Sequence, residues 1–173
     1  MPIVYDKSRK IFHLQAGDTS YIMQIVKEKY LVHLYWGRRI SSYHESRRII
    51  WKDRGFAPNP DTSDRTFSLD TLPQEYPQTG NGDFRNPAYG IRQENGSRIS
   101  NLEYIGYEIS DGKPKLPGLP ASSGSKKDVQ TLKVYMEDAV AGLKVCLLYS
   151  VFASESVITR SAIFLNKGKS RCI

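Results

Sequence analysis

The sequence has few of the residues that build metal centres or disulfide frameworks. It contains two cysteines and three histidines in 173 residues. Cys146 and Cys172 are neither closely spaced nor accompanied by a histidine cluster, so their positions predict neither a metal site nor a disulfide framework. We interpret Cys146 as a thiol of the core and expect no cofactor.

Long apolar runs are also missing. No stretch reaches the roughly 18 apolar residues that form a membrane-spanning helix, and residues 1–10 lack the apolar segment of a signal peptide. These absences predict no membrane partner and favour a cytoplasmic location. A chain of 173 residues can bury a core as one domain, so residues 1–173 are predicted to form a single domain.

Acidic residues are in the minority, with 18 against 25 lysines and arginines, and the formal net charge is +7. Such a charge raises the question of an anionic partner. The basic residues crowd one region that contains Arg38, Arg39, Arg47, Arg48, Lys52 and Arg54. No nucleic-acid motif accompanies them, and most charge runs are solvated faces. We therefore predict no nucleic-acid partner.

Helical periodicity is absent as well, and no segment indicates a helix of three turns. Short β-type runs occur instead, at residues 3–5, 10–15, 19–26, 30–36, 131–137, 141–153 and 155–166. These runs, separated by turn signals, predict an all-β antiparallel sandwich. In residues 30–36, alternation predicts that Val32, Leu34 and Trp36 share the core face.

A turn signal lies at Asn95-Gly96, where both residue types tolerate the positive φ of a type I′ turn. The flanking runs within residues 89–109 therefore predict a β-hairpin, with a twisted or bulged continuation after it. His13 and His33 lie inside strands at no ligand spacing, and we assign them no role.

Residues 53–85 form a long segment without strand or helix periodicity, rich in proline and glycine. Irregular segments of more than about 12–15 residues are usually functional loops or disordered linkers. The aromatic residues Phe56, Phe67, Tyr76 and Phe84 argue against a linker, because disordered spacers are poor in such residues. We predict an ordered loop supported by the neighbouring strands.

The end of the sequence predicts a turn without a return strand. Residues 166–168 have the composition of a hairpin turn, and residues 169–173 are too few and too polar to pair convincingly. This pattern suggests a truncated chain, in which an unpaired sheet edge would invite association.

Several segments resemble the N-terminal domain of bacterial α-galactosidases of glycoside hydrolase family 36, the type that cleaves raffinose and melibiose. The segments are residues 12–25, 30–37, 59–89, 94–104, 112–121 and 157–168. The family's members continue several times further, through the rest of a β-supersandwich, a (β/α)8 barrel and a C-terminal β domain. The resemblance implies that both catalytic aspartates lie on the barrel, so this chain alone is expected to be inactive.

The resemblance also implies roles for three residues of the long loop and its approach. The family forms tetramers in which this domain reaches toward a neighbour's barrel, and an aspartate at the position of Asp53 contributes to the sugar subsite. A carboxylate accepts charge-assisted hydrogen bonds from two hydroxyls. Trp51 would offer an apolar face to a sugar ring, and Arg65 would orient the carboxylate. The other interpretation is that Asp53 forms a surface ion pair with Arg54 or Arg65.

Two further alternatives stay open. Asp70, Glu75 and Asp83 lie close together in sequence and would be the substitutes for a catalytic pair, although loop carboxylates more often cap turns or pair with Arg65 and Arg85. The second alternative concerns the whole chain, which would then be a free-standing β-sandwich module that binds a carbohydrate, or an anionic partner through residues 38–54.

Overall fold

The computed structural model describes residues 2–44, 49–56, 58–118 and 122–168, which form two four-stranded antiparallel sheets and no helix. Sheet 1 is a meander of β1 (Ile3–Asp6), β2 (Ile11–Ala16), β3 (Thr19–Val26) and β4 (Tyr30–Arg38). Sheet 2 is a meander of β5 (Glu103–Asp111), β6 (Val129–Asp138), β7 (Leu143–Phe152) and β8 (Val157–Asn166). The predicted all-β sandwich is confirmed.

The main core lies between the two sheets. Phe12, Leu14 and Met23 of sheet 1 belong to one buried cluster with Leu132 and Leu147 of sheet 2. Successive residues of a strand point to opposite faces, so each strand contributes every second side chain to this core. The periodicity at residues 131–137 correctly predicted that Leu132, Val134 and Met136 of β6 are buried, whereas Thr131, on the opposite face, is buried as well.

A second core covers the opposite face of sheet 1. Val32 and Leu34 of β4 pack with Phe67, Leu69 and Leu72, which belong to no strand. We call residues 49–102, of which residue 57 is not described, the loop layer. Sheet 1 is thus the middle of three layers, and the long loop that the sequence predicted to be ordered buries apolar side chains.

Trp36 does not share the core face predicted for it. Val32 and Leu34 are buried, whereas 71% of Trp36 is exposed. The pairing of β3 with β4 shifts between Ile22 and Met23, because Ile22 faces Tyr35 while Met23 faces His33. This β-bulge inserts one residue into β4 and reverses the alternation beyond it. The prediction for Trp36 was therefore wrong, although its strand was correct.

The predicted type I′ hairpin at Asn95-Gly96 is instead a turn without flanking strands, and only Gly96 of these two residues has a positive φ. Gln93 N donates to Ser97 O at 2.9 Å, and Gly96, at φ +84°, donates its N–H to Gln93 O at 2.9 Å. The flanking residues lie in the loop layer and send Ile91 and Leu102 into the main core. β5 pairs with β6 instead, through the predicted bulge between Tyr104 and Gly106.

The described end of the chain folds onto the turn between β6 and β7. Lys167 and Gly168 both donate backbone N–H groups to Gly142 O, at 2.7 and 3.1 Å. The predicted absence of a return strand concerns residues 169–173, which lie outside the described residues.

Cys146 is half-buried on β7 rather than in the core, and burial raises the pKa of its thiol. No helix among the described residues is long and apolar enough to cross a membrane.

Candidate functional site

Asp53 and Arg65, two of the three residues singled out by the sequence, meet on the surface of the loop layer. Arg65 Nη2 lies 3.4 Å from Asp53 Oδ1, and the two side chains are 75% and 56% exposed. Trp51 is half exposed, and its ring contacts are with Phe67, at 5.8 Å between centroids, and with the Lys27 ammonium, 5.9 Å from its centroid. We call these three residues, Trp51, Asp53 and Arg65, the Asp53 surface.

The support beneath the Asp53 surface comes from turns capped by carboxylates. Asp61 accepts from Ser63 and Asp64 accepts from Thr66, each through backbone N–H and hydroxyl. Lys27 of the β3–β4 turn lies 2.6 Å from Asp64 and 3.1 Å from Asp61. The hydrogen bond from Lys27 lowers the pKa of Asp64 to about 2. This cation ties the loop layer to sheet 1.

Asp70 and Asp83, two of the alternative catalytic carboxylates, are held by arginines. Arg54 Nη2 donates to Asp70 at 2.7 Å, and Ser68 Oγ donates to the same carboxylate. Asp83 is fully buried and accepts from Arg85 Nε at 2.8 Å and Nη2 at 2.7 Å. Burial opposes ionisation of both aspartates, but hydrogen bonds from Ser68 and Arg54 lower the pKa of Asp70, and those from Arg85 lower the pKa of Asp83. These contacts favour structural roles.

Glu75, the third alternative, is the centre of a buried polar cluster. Tyr21 Oη donates to Glu75 at 2.7 Å, and Tyr149 Oη donates to Oε1 at 2.9 Å. Arg160 Nη1 lies 3.3 Å from Oε1, and Arg160 Nη2 donates to the Glu75 carbonyl at 3.1 Å. His33 Nδ1 lies 3.4 Å from Oε2. The cluster therefore joins both sheets to the loop layer.

The backbone places Glu75 beside the edge of β4. Glu75 N donates to Leu31 O at 3.0 Å, and His33 N donates to Pro73 O at 2.8 Å. Burial and the nearby Glu75 carboxylate raise the pKa values of Tyr21 and Tyr149. Both hydroxyls therefore keep their protons and serve as donors to the carboxylate.

A cleft of about 720 Å³ opens above this cluster, and we call it the Glu75 cleft. Its walls include Trp36 of β4 and Val157 of β8, and Tyr21, His33, Glu75 and Arg160 also line it. Sequence reasoning missed this cleft. It gave His33 no role and named neither Tyr21 nor Arg160, because nothing in the local pattern links residues separated by 54 or 85 positions.

The basic region is only partly described and its members have separate partners. Arg39 donates to Gly17 O and Gln15 Oε1, each at 3.1 Å, whereas Arg54 belongs to the Asp70 contact. Arg47 and Arg48 lie outside the described residues. In the described part, Arg39 and Arg54 serve intramolecular contacts, which favours a structural use of these two cations.

Comparison with known proteins identifies relatives over the whole chain. Residues 29–173 match the family described as the glycosyl hydrolase family 36 N-terminal domain. The α-galactosidase AgaA of Geobacillus stearothermophilus is 48% identical over 172 residues, covering 99% of this chain and 24% of that protein.

Solved structures give the same relationship. The crystal structure of the α-galactosidase AgaB from Geobacillus stearothermophilus superposes with a TM-score of 0.92 at 48% identity, covering 99% of this chain and 23% of that chain. A variant of AgaA in complex with raffinose has a TM-score of 0.89 at 49% identity, covering 94% of this chain and 23% of that chain. The chain thus spans about a quarter of the length of these relatives.

Proposed function

The chain belongs to the glycosyl hydrolase family 36 N-terminal domain family, and from this premise we propose that it is the non-catalytic domain of an α-galactosidase. The enzyme would hydrolyse terminal α-linked galactose from oligosaccharides such as raffinose and melibiose, in galactoside catabolism in the cytoplasm. The full-chain likeness to α-galactosidases, at 48% identity and a TM-score of 0.92, carries this proposal.

The chemistry of the described residues supports a non-catalytic role. A retaining glycosidase needs two carboxyl groups about 5–5.5 Å apart, one as nucleophile and one as acid and base. Asp70, Glu75 and Asp83 are each occupied by arginine or tyrosine donors inside the fold. These carboxylates serve the fold, so the catalytic pair is assigned to the remaining three quarters of the enzyme's length.

The Asp53 surface is the proposed contribution of this domain to the substrate site. Asp53 is held by Arg65 yet more than half exposed, so its carboxylate can still accept hydrogen bonds from sugar hydroxyls. Trp51 presents the part of its ring that Phe67 does not cover. We propose that this surface completes the galactoside subsite of a neighbouring subunit in a homotetramer.

The test is kinetic and uses a chimaera in which this chain replaces the corresponding quarter of AgaA. Asp53→Ala is expected to lower kcat/KM on raffinose by about tenfold or more, because a hydrogen bond to a charged group contributes about 1.5–3 kcal/mol. The 173-residue chain alone is expected to show no turnover of a chromogenic α-galactoside.

The matched control is Glu137→Ala, which removes another surface ion pair, 3.3 Å from Lys144. This change should leave kcat/KM unchanged within a factor of about two. Sedimentation of each variant separates a lost subsite from a lost tetramer. Unchanged kinetics of Asp53→Ala in an intact tetramer would return Asp53 to the role of a surface ion pair, worth less than about 1 kcal/mol.

A further inference from the structure

We propose that the Glu75 cleft is a second saccharide-binding site, separate from the Asp53 surface, which takes a neutral mono- or disaccharide. This site goes beyond the proposed function because it needs no neighbouring subunit and shares no residue with the Asp53 surface. All of its walls come from the described part of this chain.

The first observation is an exposed aromatic wall. Trp36 is 71% exposed, and its ring lies 6.5 Å from that of Tyr21 between centroids. The bulge in β4 turns Trp36 to the side of the strand that lines the cleft. An exposed tryptophan beside a cleft offers an apolar face against which the C–H groups of a pyranose ring can pack.

The second observation is an unsatisfied polar atom at the base of the same cleft. His33 Nδ1 is buried and makes no hydrogen bond, although it lies 3.4 Å from Glu75 Oε2. A buried nitrogen without a partner has lost its hydration without compensation. The His33 side chain as a whole is 24% exposed and lines the cleft, so its ring can exchange hydrogen bonds with a ligand hydroxyl, which both donates and accepts.

The charges of the cleft favour a neutral ligand. Glu75 and Arg160 form an ion pair at 3.3 Å, so their charges offset each other within the site. The lining offers N–H donors from Arg160 and the hydroxyl of Ser156, which can donate and accept, and this combination suits a ligand rich in hydroxyls. A volume of about 720 Å³ lies within the range of about 300–1,000 Å³ typical of small-molecule sites.

The test uses the fact that the chain contains only two tryptophans, one at each proposed site. In a ¹H–¹⁵N spectrum of the 173-residue chain, the indole N–H signals of Trp36 and Trp51 report on the Glu75 cleft and the Asp53 surface separately. Titration with the disaccharide melibiose is expected to shift the Trp36 signal along a saturating curve, with a dissociation constant on the order of 1 mM. The Trp51 signal should stay in place, because the neighbouring barrel is absent.

The controls are one ligand and two variants. Glycerol at matched concentration should cause no saturating shift. Trp36→Ala should weaken binding by about tenfold or more, read from the backbone amides of Ser156 and Val157, while Phe84→Ala, at another exposed aromatic, should not. A Trp36 signal that stays in place or moves linearly up to about 100 mM melibiose would overturn the proposal. A shift of Trp51 alone would overturn it as well.

Discussion

At the scale of single residues, Glu75 shows how a buried carboxyl group is supplied with hydrogen-bond and charge partners. An ion removed from water loses several kcal/mol of solvation, so it persists only with partners of good geometry. Tyr21 and Tyr149 donate hydroxyls, and Arg160 provides the opposite charge. The three donors come from β3, β7 and β8, so one side chain of the loop layer links both sheets.

Glu75→Gln is expected to lower the free energy of unfolding by about 2–3 kcal/mol, because it leaves Arg160 without its counter-charge. This expected loss lies near the lower end of the range for breaking a buried ion pair, since Arg160 remains partly solvated. Urea denaturation measures the free energy of unfolding of each variant. Glu137→Gln, which breaks the exposed pair with Lys144, should cost less than about 1 kcal/mol. Equal effects of the two changes would contradict a structural role for the buried cluster.

At the scale of elements, the loop layer is built by close backbone contacts rather than by a hydrogen-bonded ladder. In the described residues its bridges are isolated, as at Val32 with Gln74 and Gly80 with Asp83. Gly82 adopts φ +84°, and a Cβ atom added there would collide with the Pro58 ring. Glycine is therefore required at this position for its conformation and for its small size.

Gly82→Ala is expected to destabilise the chain by about 2–4 kcal/mol, the sum of left-handed strain and steric overlap. Gly96 is a matched control, because it has the same φ of +84° and an added Cβ would meet no atom within 4 Å. Gly96→Ala should cost only the conformational strain, about 1 kcal/mol. The difference between the two measured unfolding free energies isolates the contact with Pro58. A difference near zero would show that this contact relaxes without cost.

At the scale of the whole molecule, sheet 1 is shared by two cores. Its inner face packs on sheet 2 and its outer face packs on the loop layer. An element buried on both faces couples the layers, because separating either of them from it exposes apolar surface to water. The described residues are therefore expected to unfold as one cooperative unit rather than as a sandwich with a loosely attached loop.

Phe67→Ala tests this coupling. Phe67 belongs to no strand, yet it is buried, and its truncation is expected to cost about 3–4 kcal/mol. Phe84→Ala is the control, since that side chain is 87% exposed and should change stability by less than about 0.5 kcal/mol. Far-ultraviolet circular dichroism reports on the sheets, and the indole N–H signal of Trp51 in a ¹H–¹⁵N spectrum reports on the loop layer. Two separated transitions would contradict the shared-core interpretation.

The sequence by itself determined the all-β class and seven of the eight strands, because alternation with period two is a local property of each strand. It also located the turn at Asn95-Gly96 and the long ordered loop. The resemblance to glycoside hydrolase family 36 was visible from the loop's own residues and is confirmed by the family match. The assignment of Asp53, Arg65 and Trp51 to a sugar subsite came from that resemblance and stays a prediction.

Only the tertiary structure decided which faces are covered and which residues meet. The bulge in β4 moved Trp36 off the core face, since one inserted residue reverses every side chain beyond it. The residues on either side of Asn95 do not pair as a hairpin, and Ile91 and Leu102 bury their side chains in the main core instead. The Glu75 cleft joins residues 54 to 85 positions apart, and no local pattern encodes such contacts because they form only when both sheets and the loop layer have packed.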